Sequence, residues 1–229
     1  MKRILACLVL LLLPLAPAAA ETQKRSIERF DKLQASGLLE VRLVEGSGRT
    51  AEVAVEGTDP GEVVTTVGGK TLAVKMKKGI LYDENTVKVL VTVSYEVLRE
   101  IQVTTGAVVV SDGVLRGDKI TVEAGSGGDA DLQVDVTTLD LKAVSGSVLK
   151  ISGKAQSQDT TVNTGGKLEA FGLDCRSVYI RVNTAGTAEV TAARELEAQV
   201  GTGGTLRYRG SPAKTSIKKG LGATVEQVR

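Results

Sequence analysis

Ala143-Val144-Ser145-Gly146-Ser147-Val148 is one of six copies of a single phrase. Val103-Thr104-Thr105-Gly106-Ala107-Val108 and Ala124-Gly125-Ser126-Gly127-Gly128-Asp129 precede it. Val162-Asn163-Thr164-Gly165-Gly166-Lys167, Val182-Asn183-Thr184-Ala185-Gly186-Thr187 and Val200-Gly201-Thr202-Gly203-Gly204-Thr205 follow it. Each copy sets a Ser/Thr-Gly turn between short alternating stretches. Counted on Gly106, Gly127, Gly146, Gly165, Gly186 and Gly203, the steps are 21, 19, 19, 21 and 17 residues.

A short strand stands before each turn, as in Ile101-Gln102-Val103, Ile120-Thr121-Val122, Leu139-Asp140-Leu141 and Leu196-Glu197-Ala198. Another stands after it, as in Leu132-Gln133-Val134, Leu149-Lys150-Ile151 and Leu206-Arg207-Tyr208. Two short strands and two turns make a unit of roughly 20 residues that cannot bury its apolar face alone. Stacking such units buries a continuous core, so the period predicts an all-β, β-helix-like solenoid. Rungs stack about 4.8 Å apart, which leaves little room for Cβ atoms at the corners. Glycine relieves that crowding and accepts positive φ. Ser and Thr hydroxyls are placed to bond neighbouring turns, and Asn163 and Asn183 have the spacing of an asparagine ladder. Two stacked antiparallel sheets, with each Gly turn a hairpin tip, are the alternative.

Residues 21–97 read as an N-terminal β segment, 98–210 as the repeat array and 211–229 as a C-terminal cap. Glu21 to Arg29 is polar and reads as a short leader. Leu39 to Leu43 and Val53 to Val55 alternate around Gly46-Ser47-Gly48, a hairpin signal. Asp59-Pro60-Gly61 is a turn. Val63 to Val67 and Thr71 to Met76 flank Gly68-Gly69, Lys77 to Asn85 is a polar loop, and Thr86 to Val93 is the longest strand candidate. Glu189 to Gln199 has a helix-like composition. Its place inside the array makes it two short strands and a turn. Gly210-Ser211-Pro212 ends the pattern, and Lys214, Lys218 and Lys219 put charge on the last strands.

Residues 1–20 read as a secretory signal peptide. Lys2 and Arg3 precede the apolar run Ile4 to Leu15, and Ala18-Ala19-Ala20 offers a cleavage site. Cys7 lies too early in that run for a lipoprotein box. The full chain has 29 basic and 27 acidic side chains; without Lys2 and Arg3 it balances at 27 against 27. That neutrality gives no electrostatic attraction to nucleic acid or anionic lipid, and the expected mature chain has no transmembrane segment. The runs at Lys75 to Lys78 and Lys218-Lys219 read as solvated faces. Cys175 is the one cysteine after residue 20, so no internal disulfide forms there. There is no histidine, which removes the commonest general base and transition-metal ligand, and with it Ser-His-Asp and Cys-His catalysis. The aromatics are Phe30, Tyr82, Tyr95, Phe171, Tyr179 and Tyr208, few for a stacking surface.

Residues 28–229 resemble the secreted bacterial proteins with the head GIN domain, which carry the label of auto-transporter adhesin. The resemblance begins at Phe30-Asp31-Lys32-Leu33-Gln34-Ala35-Ser36-Gly37, like the family's opening F-x-x-[IL]-x-[VA]-[SN]-G. It continues through Leu39-Glu40-Val41, Val53-Ala54-Val55-Glu56-Gly57 and Lys70-Thr71-Leu72-Ala73-Val74. The marker L-x-x-I-x-V-[ST]-G-A is matched by Leu98 to Ala107, with one extra residue before Gly106, and Gly210-Ser211-Pro212 matches a late G-x-P. Val97 stands where the family commonly has proline, and several Ser-Gly-Ser-Gly turns are reduced to Thr-Gly-Gly or Ala-Gly-Thr. The resemblance implies an all-β, solenoid-like fold and an adhesin label, and it brings no catalytic residue.

Asp129, Asp131, Asp135 and Asp140 form the most suggestive acidic group. Asp129 and Asp131 share a strand face beside Gly127-Gly128, as calcium ligands on stacked rungs would. The equivalent places in other turns hold Ala107, Ser147, Lys167 and Thr187, so no acidic ladder builds up and the acids read as solvated. A carboxylate-pair hydrolase needs two acids across a cleft. Cys175 lacks a histidine partner and reads as a small buried residue. The glycine turns lack the Gly-Lys-Ser/Thr ending of a phosphate cradle. The sequence therefore predicts a non-enzymatic exported β-repeat protein without cofactor or metal. It would be an adhesin or envelope-binding module for an unknown protein or polysaccharide. A carboxylate-dependent polysaccharide hydrolase and a structural or sensory periplasmic module are the alternatives.

Overall fold

Alternating aliphatic and polar residues fold into β-strands throughout, with one 3-10 turn and no α-helix among the described residues. The computed structural model describes residues 21–46, 49–77 and 87–229. Residues 1–20 with Cys7, expected as a signal segment, Ser47 and Gly48 of the first hairpin signal, and residues 78–86 with Tyr82 and Thr86 lie outside them.

The N-terminal strands are β1 (Glu21–Ser26), β2 (Lys32–Ser36), β3 (Glu40–Glu45), β4 (Thr50–Glu56), β5 (Val63–Gly68), β6 (Thr71–Met76) and β7 (Lys88–Tyr95). Asp59 caps the 3-10 turn Pro60–Glu62, its side chain accepting the Gly61 N–H. The polar start is not a leader. It is edge strand β1, antiparallel to β4 from Glu21↔Val55 to Ser26↔Thr50. Arg25 fixes it by donating to the carbonyls of Pro60 and Val63, both at 2.6 Å. The Lys75-Met76-Lys77 run is solvated only in its lysines, because strand alternation turns Met76 into the core.

The array comprises β8 (Glu100–Thr104), β9 (Val108–Gly125), β10 (Asp129–Val144), β11 (Val148–Asn163), β12 (Lys167–Val182), β13 (Thr187–Val200), β14 (Thr205–Arg209), β15 (Lys214–Lys219) and β16 (Thr224–Gln227). From β8 onward every pairing is parallel. A solenoid of about seven turns results, and stacked antiparallel sheets are excluded for the array. Each rung crosses two walls. Wall 1 runs β1-β4-β7-β3 and then through the first halves of β9 to β13 to β14 and β16. Wall 2 runs β5-β6-β2-β8 and then through the second halves of β9 to β13 to β15.

The expected second turn of each unit is a bend inside one long strand. In β10 and β11 the pairs Val136↔Ala155 and Thr138↔Ser157 flank the bend, with Thr137 and Gln156 between. The strand continues because a one-residue interruption turns the chain without breaking the parallel ladder. Residues 187–200 are likewise one bent strand, β13, not two strands and a turn, although there Ala193 and Arg194 together stand opposite Arg176.

The other corner is the Ser/Thr-Gly turn, and in the first five copies both of its central residues take positive φ. Ser126 and Gly127 lie at 50° and 71°, Ser145 and Gly146 at 53° and 73°, and Thr164 and Gly165 at 52° and 70°. In the fifth copy the pair is Thr184 at 48° and Ala185 at 58°, so Ala185, not Gly186, holds the central place. Gly222 adds a further turn. With Ala185 counted, the steps become 21, 19, 19, 20, 18 and 19 residues. The turns stack by backbone bonds. Gly127 N–H donates to the Ser145 carbonyl at 3.1 Å, Gly146 to Thr164 at 3.2 Å and Gly165 to Thr184 at 3.1 Å. Gly186 keeps a different task. Like Gly128, Gly166 and Gly204 it passes close to the rung before, where a Cβ would lie 2.3–2.9 Å from a backbone oxygen. The asparagine ladder does not form: Asn163 Oδ1 is buried without a partner.

The core is a narrow seam between the walls. One wall 1 column reads Val109, Ala130, Leu149, Leu168, Ala188 and Leu206, in register from rung to rung. The facing wall contributes Ile101, Val122, Leu141, Thr160, Ile180 and Ala198. Burial of each large aliphatic side chain contributes about 1.5–3 kcal/mol.

Candidate functional site

Residues between those buried columns point outward, in columns with the rung spacing. On wall 2 one column reads Glu100, Thr121, Asp140, Asp159, Tyr179, Glu197 and Ser216, and the next includes Glu123, Lys142, Thr161, Arg181, Gln199 and Lys218. Opposite charges meet between successive rungs: Lys119–Asp140 at 2.6 Å, Arg181–Asp159 at 3.3 Å and Lys142–Glu123 at 3.8 Å. The Asp140 carboxylate raises the Lys119 pKa by a hydrogen bond and by its charge. At the far end Glu195 bridges Lys214 and the Tyr179 hydroxyl. The Lys214 hydrogen bond lowers the Glu195 pKa, and the Glu195 charge raises that of Tyr179. These are surface ion pairs, each carboxylate facing a lysine or an arginine.

Wall 1 repeats the pattern. Lys167 pairs Glu169 at 2.6 Å, and Arg207 pairs both Glu189 and, at 3.6 Å, Glu226. Arg209 lies 4.2 Å from the centroid of the Phe171 ring, with Arg207 at 5.6 Å. Phe171 sits at a register shift between Ala170 and Cys175, where the strand bulges.

The structure disperses the four sequence-selected aspartates. Asp129 stands between Val108 and Val148 in register, and its Oδ1 accepts the Val148 N–H at 3.0 Å. Asp131 stands between Val110 and Lys150, and Asp135 between Arg116 and Lys154. Asp140 lies on the other wall, paired with Lys119. Among the described residues no group of three acids or cysteines could hold a metal ion. Cys175 is 2% exposed, its thiol hydrogen-bonds the Ser177 carbonyl, and burial pushes its pKa up to about 11. That is opposite to the tuning of a thiolate nucleophile.

Shallow hollows interrupt the walls, and two of them are notable. One, of about 530 Å³, lies at the turn edge of wall 1 against Leu38, Val55, Val89, Gly106 and Val108. The other, of about 340 Å³, follows the bend and has Val136, Ala155 and Cys175 in its floor. Its charged rim, Asp135, Lys154, Asp174 and Arg176, was not singled out as a group by sequence reading. They come from three successive rungs, with Asp174 and Arg176 on the same one, so the parallel register brings them together. Ser147, Gln158 and Thr160 were also missed as buried polar residues.

Fold and surface together define a parallel β-solenoid with broad, polar, charge-neutralised walls. The chain belongs to the family described as "Putative auto-transporter adhesin, head GIN domain", whose model matches residues 29–212. Solved structures that share the fold include the following three. An adhesin-titled protein of Bacteroides fragilis has a TM-score of 0.81 at 20% identity, covering 93% of this chain and 98% of its own. One of Parabacteroides merdae, also titled an adhesin, has a TM-score of 0.71 at 20% identity, covering 92% and 96%. A Parabacteroides distasonis protein titled "Putative lipid binding protein" has a TM-score of 0.71 at 16% identity, covering 92% and 97%. No curated protein matches the chain. Among the described residues no helix is long and apolar enough to cross a membrane.

Proposed function

We propose that this protein is an exported, non-enzymatic binding module of the bacterial envelope or cell surface, which attaches through a solenoid wall to an envelope protein or polysaccharide. The observation that carries the reading is the outward surface itself. Many of its carboxylates are paired with a lysine or arginine one rung away instead of converging on a cleft. The signal-like residues 1–20 and the family support export to the periplasm, the outer membrane or beyond. Wall 2 is the better binding face. Thr121, Thr138, Ser157, Thr161, Ser177 and Gln199 offer stacked hydroxyls and an amide around Tyr179, a surface that can follow an extended polymer by hydrogen bonding.

The test is retention of the chain from Glu21 onward on envelope fractions and on a panel of immobilised glycans. Retention is expected, and it falls at least tenfold in a Thr161→Arg/Tyr179→Ala variant that keeps its β-sheet spectrum. Absence of retention on both materials would remove the adhesin reading. Shortening of a polysaccharide, lost in Asp129→Asn/Asp131→Asn, would establish the hydrolase instead.

A further inference from the structure

The bend edge carries two columns of exposed side chains that run through the same four rungs. The first reads Arg116, Asp135, Lys154 and Asp174, each opposite the next in the parallel register. The second lies between the register pairs that flank the bend, and reads Asp118, Thr137, Gln156 and Arg176. The charge order of the first is plus, minus, plus, minus. The second has minus at one end, two neutral polar groups, and plus at the other.

Both orders become their own complements when reversed. A two-fold axis lying across the solenoid, between the Asp135 and Lys154 rungs, sets Arg116 against Asp174 of a second copy and Asp135 against its Lys154. The same operation sets Asp118 against Arg176 and Thr137 against Gln156. One axis satisfies both columns, and the rung spacing of the two copies is identical by construction. This is the requirement of an isologous interface, in which one patch meets itself.

The charges are also available. Several charges elsewhere on the walls, among them Glu123, Asp140, Asp159, Glu169 and Glu189, are paired within the chain. Among the described residues Asp135, Lys154 and Asp174 form no ion pair, while Arg116 reaches Glu45 at 3.7 Å. Arg176 only touches the Gln156 amide oxygen, at 3.5 Å. Beneath them the hollow of about 340 Å³ has the small floor residues Val136, Ala155 and Cys175, which let a second edge approach closely.

The geometry points to a two-fold homodimer in which two chains meet antiparallel along their bend edges. The contact spans few rungs and is mainly polar, so the dimer is weak and salt-sensitive. It leaves both walls exposed, and it does not depend on what the walls bind.

Sedimentation equilibrium of the chain from Glu21 onward, at low and at high salt, tests it. The expected result is a reversible monomer–dimer equilibrium that weakens in high salt. Lys154→Glu sets like charges face to face and weakens the dimer at least tenfold. Adding Asp135→Lys to that variant restores the pairing and the dimer. Lys142→Glu, on wall 2, leaves the dimer unchanged. A monomer at every concentration at low salt overturns the proposal. So does equal weakening by Lys154→Glu and Lys142→Glu, or failure of Asp135→Lys/Lys154→Glu to recover association while its β-sheet spectrum is native.

Discussion

Ala185 shows what a single residue reports about this fold. It occupies the second positive-φ place of its turn, at φ 58°, where most other copies have glycine. An L-residue with a Cβ is strained there by about 1–2 kcal/mol. Glycine removes that strain and returns part of the gain through the freedom it adds to the unfolded chain. Ala185→Gly is therefore expected to stabilise the protein by about 0.5–1 kcal/mol, read as a higher urea midpoint with an unchanged slope. A lower midpoint would mean that the methyl group packs favourably in the turn stack. The same residue explains a limit of the sequence. Gly186 attracted the count because it is the glycine of its copy, yet its task is close approach to the Val162 carbonyl, 2.9 Å from where its Cβ would be. Composition marks both tasks with the same letter, and only φ separates them.

At the scale of the element, the period and the Ser/Thr-Gly corners were legible because each rung repeats the same crowding problem. The bend was not legible, because its column, Asp118, Thr137, Gln156 and Arg176, shares no residue type that a corner demands. The edge strand β1 was hidden for a related reason. It pairs on one side only and buries almost nothing, so no apolar alternation marks it. The candidate binding surface was largely illegible, since its columns depend on register between residues about 20 apart. Strand β11 holds another hidden feature. Gln158 and Thr160 point into the seam in register with Leu139, Leu141, Val178 and Ile180. The Gln158 amide donates to Thr160 Oγ1 at 2.8 Å, but its Oε1 is buried without a partner. A buried unsatisfied acceptor costs about 1–3 kcal/mol, so Gln158→Leu/Thr160→Val should stabilise the protein by a similar amount. Gln158→Leu alone should gain less, because Thr160 then loses its donor. Urea unfolding of both single variants and the double variant gives the cycle. A double variant less stable than the wild type would show that the pair is well satisfied or that leucine overfills the seam.

At the scale of the molecule, a parallel solenoid must stop without leaving a sticky edge. The last rung, β15 with β16, keeps the register and changes the inward residues. Thr215 follows Leu196, Lys219 follows Val200, and Gln227 follows Tyr208. Gln227 also ties the end down, donating to the Gly210 carbonyl at 2.8 Å. Ile217 and Val225 remain as the aliphatic contacts that cover Ala198 and Leu206. The family match ends at residue 212, before this rung. Its composition suits a terminal layer, partly apolar beneath and polar above. Removal of residues 211–229 would uncover Leu196, Ala198, Val200 and Leu206, together with the free backbone edge of β13 and β14. The truncated chain is expected to associate into high-mass species where the chain through Arg229 stays at or below a dimer, read by light scattering at matched concentrations. The triple substitution Thr215→Val/Lys219→Val/Gln227→Val keeps the rung but makes its open side apolar, and it should associate similarly. If both variants remain dispersed, solubility resides in the walls and the last rung serves only as one more layer of the stack.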